Sequence, residues 1–254
     1  MSFEVGADAY GRFMGRYSEP LAAKFVAIAH LEAGRRALDV GCGTGALTAE
    51  LVERLGTAAV SAVDPSTAFV AAARDRFPEV DIRRAAAEGL PFPDDVFDYV
   101  FAQLVVHFMD DPVAGLREMA RVTRPGGVVT ACVWDHAGGG SPLTTFWRAA
   151  LDLDPQVRDE SALAGARKGH LAELFAAAGL RDVESTVLTV RSGFASFDEW
   201  WEPFTLGVGP AGEYVQGLDA GRRDALRDRC AALLPRERPI DIVASAWTAL
   251  GRKR

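Results

Sequence analysis

The segment Asp39-Val-Gly41-Cys-Gly43-Thr-Gly45 places a carboxylate two residues ahead of three alternating glycines. Glycines at such spacing let the backbone bend sharply and approach a ligand that a Cβ would exclude. A helix starting near Thr44 would then aim its unpaired N–H groups into the crevice at the carboxyl edge of a sheet. Read as Gly41-x-Gly43-x-x-Ala46, the segment also fits the dinucleotide fingerprint, with Asp64 spaced to take a ribose.

Charge separates the two ligand classes. A dinucleotide would set a doubly negative pyrophosphate against the loop, and Asp39 would oppose it. S-adenosylmethionine carries an ammonium and a sulfonium as well as a carboxylate, so Asp39 beside its amine would attract. Asp64 closes the second strand and suits a two-point grip on ribose hydroxyls. The plainer alternatives are that Asp39 serves loop amides and that Asp64 in Asp64-Pro65-Ser66 serves a helix start. Cys42, inside the loop, is read as a small space-filler with nothing nearby to make it a nucleophile.

Two histidines fall where an acceptor would lie. His107 follows the fourth strand and His136 the fifth, both at the carboxyl edge, so either could take a proton from an acceptor, with His107 the first candidate. Each could equally be a hydrogen-bonded structural histidine, and an acceptor that is already nucleophilic would need neither. Trp200, Trp201 and Phe204, with Phe146 and Trp147, could line an apolar acceptor pocket. At helical spacing such residues more often form ordinary core.

These groups need a scaffold, and the pattern supplies one. Strands are read over 36–40, 59–63, 80–85, 97–102, 128–134, 183–190 and 240–249. Helices are read over 21–31, 44–55, 66–76, 112–122, 142–153, 170–178 and 222–234, with Ser66 capping the third and Glu19-Pro20 breaking the chain before the first. Alternation of short buried strands with helices indicates a mostly parallel α/β sheet covered on both faces. One domain over 1–254 is expected, with insertions at about 136–168 and 192–238 forming a substrate lid or cap.

Bulk properties narrow the partners. The chain has 254 residues and a formal charge of −7, which gives no general field for a polyanion and disfavours nucleic acid. The end, Arg252-Lys253-Arg254, is read as a solvated tail. Three cysteines, at 42, 132 and 230, form no CxxC pair, so no metal site is expected. No run of 18 apolar residues occurs and the first 20 residues lack a signal-peptide core, which predicts a cytoplasmic protein without a membrane anchor. Oligomeric state is left open.

The residues resemble the class I S-adenosylmethionine-dependent methyltransferases, in the small-molecule branch containing the ubiquinone/menaquinone C-methyltransferase-like proteins. The similar segments are the loop in Ala37–Ala46, Val63-Asp64-Pro-Ser66, Ala87-Glu-Gly-Leu-Pro-Phe-Pro-Asp94, Phe97-Asp98 through His107 to Asp111, and Arg121-Val-Thr-Arg-Pro-Gly-Gly127. Tyr10-Gly-Arg-Phe-Met-Gly-Arg-Tyr-Ser18 looks like that family's N-terminal lid. The resemblance implies a Rossmann-like sheet of seven strands, the last antiparallel, with helices on both faces. It implies S-adenosylmethionine held by Gly41, Gly43 and Gly45, with Cys42 between them in the same cofactor loop, Asp39 near its amine and Asp64 and Pro65 at the ribose. It places Ala87 and Glu88 beside the adenine, Gln103 near the sulfonium, and Tyr17 above the cofactor. One departure is Ala86, where relatives often carry an acidic residue for the adenine amine. A small-molecule acceptor follows from the branch; a nicotinamide-dependent oxidoreductase and a non-catalytic S-adenosylmethionine-binding protein are the competing readings.

Overall fold

The computed structural model describes residues 6–235, 237 and 239–254. Residues 1–5 of the expected domain, and 236 and 238 of the expected second insertion, lie outside the described residues. Seven strands, β1 (Ala37–Val40), β2 (Val60–Asp64), β3 (Asp81–Arg84), β4 (Phe97–Gln103), β5 (Thr123–Trp134), β6 (Arg181–Phe194) and β7 (Ile240–Arg252), form one sheet. Its order is β3-β2-β1-β4-β5-β7-β6. The strands are parallel except β7, which runs antiparallel to both β5 and β6. This is the expected Rossmann-like architecture.

The helices are α1 (Ala7–Tyr10), α2 (Arg16–Ala27), α3 (Ala46–Leu55), α4 (Thr67–Arg76), α5 (Pro112–Val122), α6 (Thr144–Leu153), α7 (His170–Ala177), α8 (Phe197–Trp201), α9 (Gly209–Gln216) and α10 (Ala220–Leu233). Every residue of β1, β2 and β4 is buried, as strands covered on both faces require. Their alternation splits the core into two layers. Leu38, Val40, Val100 and Ala102 pack with Leu116 and Met119 of α5 and Phe175 of α7. Ala37, Tyr99 and Phe101 pack on the other face with Leu21 and Phe25 of α2 and Leu51 of α3.

Local chemistry sets the helix starts. Ser66 caps α4 through its side chain, as expected. Asp111 accepts from Val113 and Ala114 N–H, each at 3.0 Å, and Pro112 takes the first position of α5, where no N–H is needed. The strand order reverses between β1 and β4, and the loops leaving these two strands flank a crevice at the sheet's carboxyl edge.

Three expectations are corrected. Glu19-Pro20 does not break the chain: helix runs from Ala7 through a π-helical turn at Gly11–Gly15 into α2, because Tyr17, Leu21 and Phe25 bury one continuous face. The wide turn and a proline near the start of α2 are accommodated there. The basic end is not a solvated tail, since Arg252 pairs with Val128 in the sheet and Lys253 Nζ reaches Asp95 at 2.6 Å and the Arg121 carbonyl at 2.9 Å. Finally, β6 and β7 pair out to Phe194 and Ile240, so residues 192–194 belong to the sheet and the connecting insertion starts at 195.

Candidate functional site

The loop after β1 turns on glycine. Gly41 has φ +73°, and a Cβ there would lie 2.4 Å from Val105 Cγ2, in the loop leaving β4. Gly41 and Cys42 donate to the Val63 carbonyl at 2.8 and 3.0 Å, which ties the loop to the end of β2. Asp64 completes the tie: its Oδ2 accepts from Gly43 N–H at 2.9 Å and its Oδ1 from Ser66 N–H at 2.8 Å. One carboxylate therefore joins the glycine loop to the start of α4. Each oxygen still has a lone pair for a ligand.

A cavity of about 810 Å³ opens over this loop. Of the residues expected at a cofactor, Gly41, Gly43, Asp64, Pro65, Ala87, Glu88 and Gln103 line it. Asp39, Cys42 and Gly45 lie behind or beside the loop and do not contribute to its wall. Tyr17 is also absent from the wall. It is buried against Trp134 and Phe194, with ring centroids at 6.3 and 6.2 Å, and Tyr10 occupies the cavity in its place. Met109 and Asp110, from the segment between β4 and α5, line the same cavity as Ala85–Glu88, so Asp110 adds a carboxylate to a wall on which Ala86 offers none. Glu88 accepts from Asp111 N–H at 3.3 Å.

The electrostatics are one-sided. Asp39 is fully buried; Oδ2 accepts from Thr48 Oγ1 at 2.7 Å, while Oδ1 has no partner. Burial, offset in part by the Thr48 hydrogen bond and reinforced by nearby Asp64, pushes its pKa up to about 7. Burial also raises Asp64, against two backbone hydrogen bonds that lower it. Gln103 donates to the Ser18 carbonyl at 3.0 Å and leaves a buried Oε1 unpartnered. Among the described residues Arg84 is the one cationic side chain on the wall, and its Nε donates to the Pro65 carbonyl at 3.0 Å. Such a wall offers acceptors and negative charge, which fits a ligand with a cationic end and hydroxyls and does not fit a pyrophosphate.

A second chamber of about 40 Å³ adjoins the first and shares Tyr10, Leu104 and Phe108 with it. His107 and His136 both line it, with ring centroids 5.8 Å apart. His107 Nδ1, both nitrogens of His136 and Trp134 Nε1 are buried without hydrogen-bond partners among the described residues. Burial drives the pKa of His107 well below its ordinary value, with His136 adding to the effect, and lowers His136 to about 4. Leu104, between the two spaces, has φ +60°, a strained conformation for a leucine.

Tyr10 and Glu160 are among the wall residues that escaped the sequence reading. Tyr10 sat inside a recognised segment, yet only the folded chain shows that it, rather than Tyr17, meets the cavity. Glu160, 4% exposed, lines the small chamber from the loop between α6 and α7, where no motif marks it.

Fold and cavity together give a crevice of the nucleotide-binding type with carboxylates and acceptors on its wall. A family model described as a methyltransferase domain matches residues 38–131. The malonyl-[acyl-carrier protein] O-methyltransferase of Halorhodospira halophila is 32% identical over 220 residues, covering 84% of this chain and 68% of that protein. The demethylmenaquinone methyltransferase of Mycolicibacterium paratuberculosis is 41% identical over 124 residues, covering 49% of this chain and 52% of that protein. Among solved structures, a phosphoethanolamine N-methyltransferase 2 of Haemonchus contortus, in complex with phosphomonomethylethanolamine and S-adenosylhomocysteine, matches with a TM-score of 0.60 at 17% identity over 97% of this chain and 56% of that one. The chain belongs to the S-adenosylmethionine-dependent methyltransferases.

Proposed function

We propose that this methyltransferase acts on a small molecule whose reacting group enters the chamber beside His107 and His136. The observation that carries this is the contiguity of the two spaces: Tyr10, Leu104 and Phe108 belong to both walls. A methyl donor in the large cavity and an acceptor in the small one would meet across these three residues. The bound cofactor supplies an electrophilic methyl carbon on its sulfonium sulfur. Gln103, with its free Oε1, would receive the cationic end, and Asp39, buried behind the loop, would add negative charge through space; Asp64 would take the ribose hydroxyls while holding the loop. Ala87 and Glu88 would flank the base, with Asp110 beside them.

The protein's own work is alignment, exclusion of water and handling of one proton. Residues 136–168, 195–239 and the N-terminal segment form the cover in this reading. Arg12 pairs with Glu202 and Arg16 with Glu199, and these contacts clasp the N-terminal segment to the insertion between β6 and β7. Val208–Ala211 and Leu143 reach the small chamber from the two insertions. Among the described residues no lysine or arginine lines the chamber, so an acceptor like the malonyl group of the H. halophila relative's substrate would meet no countercharge there. An uncharged acceptor suits it better.

Calorimetric titration with S-adenosylmethionine and with NADH tests the cofactor assignment. Release of S-adenosylhomocysteine across phenols, quinols, amines and acids tests the reaction. Micromolar NADH binding, or no release with any acceptor class, would refute the proposal.

A further inference from the structure

The small chamber holds a group that neither the glycine loop nor the two histidines explain. Glu160 is buried, yet the hydrogen bond that holds it comes from a neutral donor, Trp147 Nε1, at 2.7 Å to Oε2. Trp147 is itself fixed, packed edge-on against Phe146 at 5.1 Å and tilted against Tyr214 at 6.0 Å. A carboxylate removed from water with one neutral donor is costly as an anion. Burial accordingly lifts its pKa to about 7, with Asp159 adding to the rise and the Trp147 hydrogen bond opposing it.

The histidines stand in the opposite condition. Burial holds both well below their ordinary value, so at neutral pH each is an uncharged imidazole with little appetite for a proton. His107 Nδ1 and both nitrogens of His136 lack partners among the described residues, and an uncharged imidazole can both donate and accept. Proton transfer is most efficient to a base whose pKa lies near the working pH. The titratable side chains that line the chamber with Glu160 are Tyr10 from the N-terminal segment, His107 after β4 and His136 after β5; Val208–Ala211 bring none, and Asp159 beside Glu160 acts on both Glu160 and His136, with Asp135 also acting on His136. Among the described residues no cation lines it.

We propose that Glu160 is the group that takes the acceptor's proton, that His107 and His136 orient the acceptor, and that the chamber selects an uncharged head group bearing an O–H or N–H over an anionic one. This rests on the small-molecule reading above and adds to it the base and the acceptor's charge. In the step, the acceptor's heteroatom bonds to the methyl carbon as the carbon–sulfur bond breaks, and the sulfur keeps that electron pair. The acceptor's proton passes to the Glu160 carboxylate and later to solvent. One positive and one negative charge vanish together, which a water-poor chamber favours.

The test uses the full-length protein saturated with S-adenosylhomocysteine, with phenol and benzoate as neutral and anionic aromatic probes read by calorimetry. The wild type should bind phenol at least about tenfold more tightly than benzoate, and Glu160→Gln should shrink that ratio to within about threefold. For an acceptor that the wild type methylates, Glu160→Gln should lower kcat by about 100-fold or more while leaving S-adenosylmethionine affinity within twofold. His107→Asn and His136→Asn should raise KM more than they lower kcat. Trp147→Phe removes the donor to the carboxylate and should move the acid limb of the kcat profile upward by about one pH unit. Glu160→Gln retaining kcat within threefold, or benzoate binding the wild type as well as phenol does, overturns the proposal. Failure of the wild type to bind S-adenosylmethionine would instead strike the underlying methyltransferase site, and the phenol–benzoate comparison on unliganded protein would still decide the charge preference.

Discussion

Asp39→Asn should make the unliganded protein more stable and the cofactor complex weaker. Asp39 has an ordinary pKa of 3.8 and is pushed to about 7 by burial. The folded state therefore holds a proton that the unfolded state has released between these two values. Stability from this group is fully present below about pH 4 and declines as pH rises toward 7. Three units at 1.36 kcal/mol each set a ceiling of about 4 kcal/mol on that loss. Asparagine cannot ionise, and its amide oxygen can still accept from Thr48 Oγ1, so the variant should lack this slope. Urea denaturation at pH 5 and pH 8 should show the wild type losing more stability than Asp39→Asn over that interval, by a few kcal/mol at most. A cationic amine bound on the cavity side of the loop reverses the balance, because its charge stabilises the ionised Asp39 behind it. S-adenosylhomocysteine should flatten the wild-type slope, and the variant should bind it about 10- to 100-fold more weakly, the loss of one charge–charge attraction across the loop. Equal affinity in variant and wild type, or identical pH slopes, would refute the reasoning.

Asp64→Asn keeps an acceptor for one of the two backbone N–H groups, whereas Asp64→Ala leaves both Gly43 and Ser66 unserved. The alanine variant should lose about 1–3 kcal/mol of stability in addition to cofactor affinity, and the asparagine variant mainly affinity, as melting and calorimetry together would separate. Gly41→Ala must adopt φ +73° and drive a methyl group into Val105, so it should cost about 2 kcal/mol or more and lower cofactor binding. Unchanged denaturation midpoints would count against the tight approach of the two loops.

Much of the scaffold was readable because its signals are local. The β1, β2 and β4 segments are short apolar runs bounded by turn residues, and burial on both faces is what such runs demand. Ser66 announces the helix it caps within three residues of sequence. The same locality explains Asp39 and Asp64, which stand at fixed offsets from a glycine loop. Their individual duties were less legible. Asp64 supports the loop as well as facing the cavity, and Asp39 is sealed behind it, and both facts depend on how β1 and β2 lie side by side.

What the amino-acid sequence determined alone was therefore the sheet, the cofactor crevice and the carboxylates that stand at it. Tertiary structure decided the rest. Tyr10 and Tyr17 are seven residues apart, two turns that an α-helix would stack on one face. The π-helical turn between them breaks that registry, so Tyr10 meets the cavity while Tyr17 packs on Trp134. The chamber around His107 and His136 is likewise non-local: its wall draws on residues from Tyr10 to Ala211, and no spacing along the chain encodes their meeting. Glu160 became visible only there, because a carboxyl group's chemistry is set by what buries it and what donates to it, and both come from elsewhere in the fold.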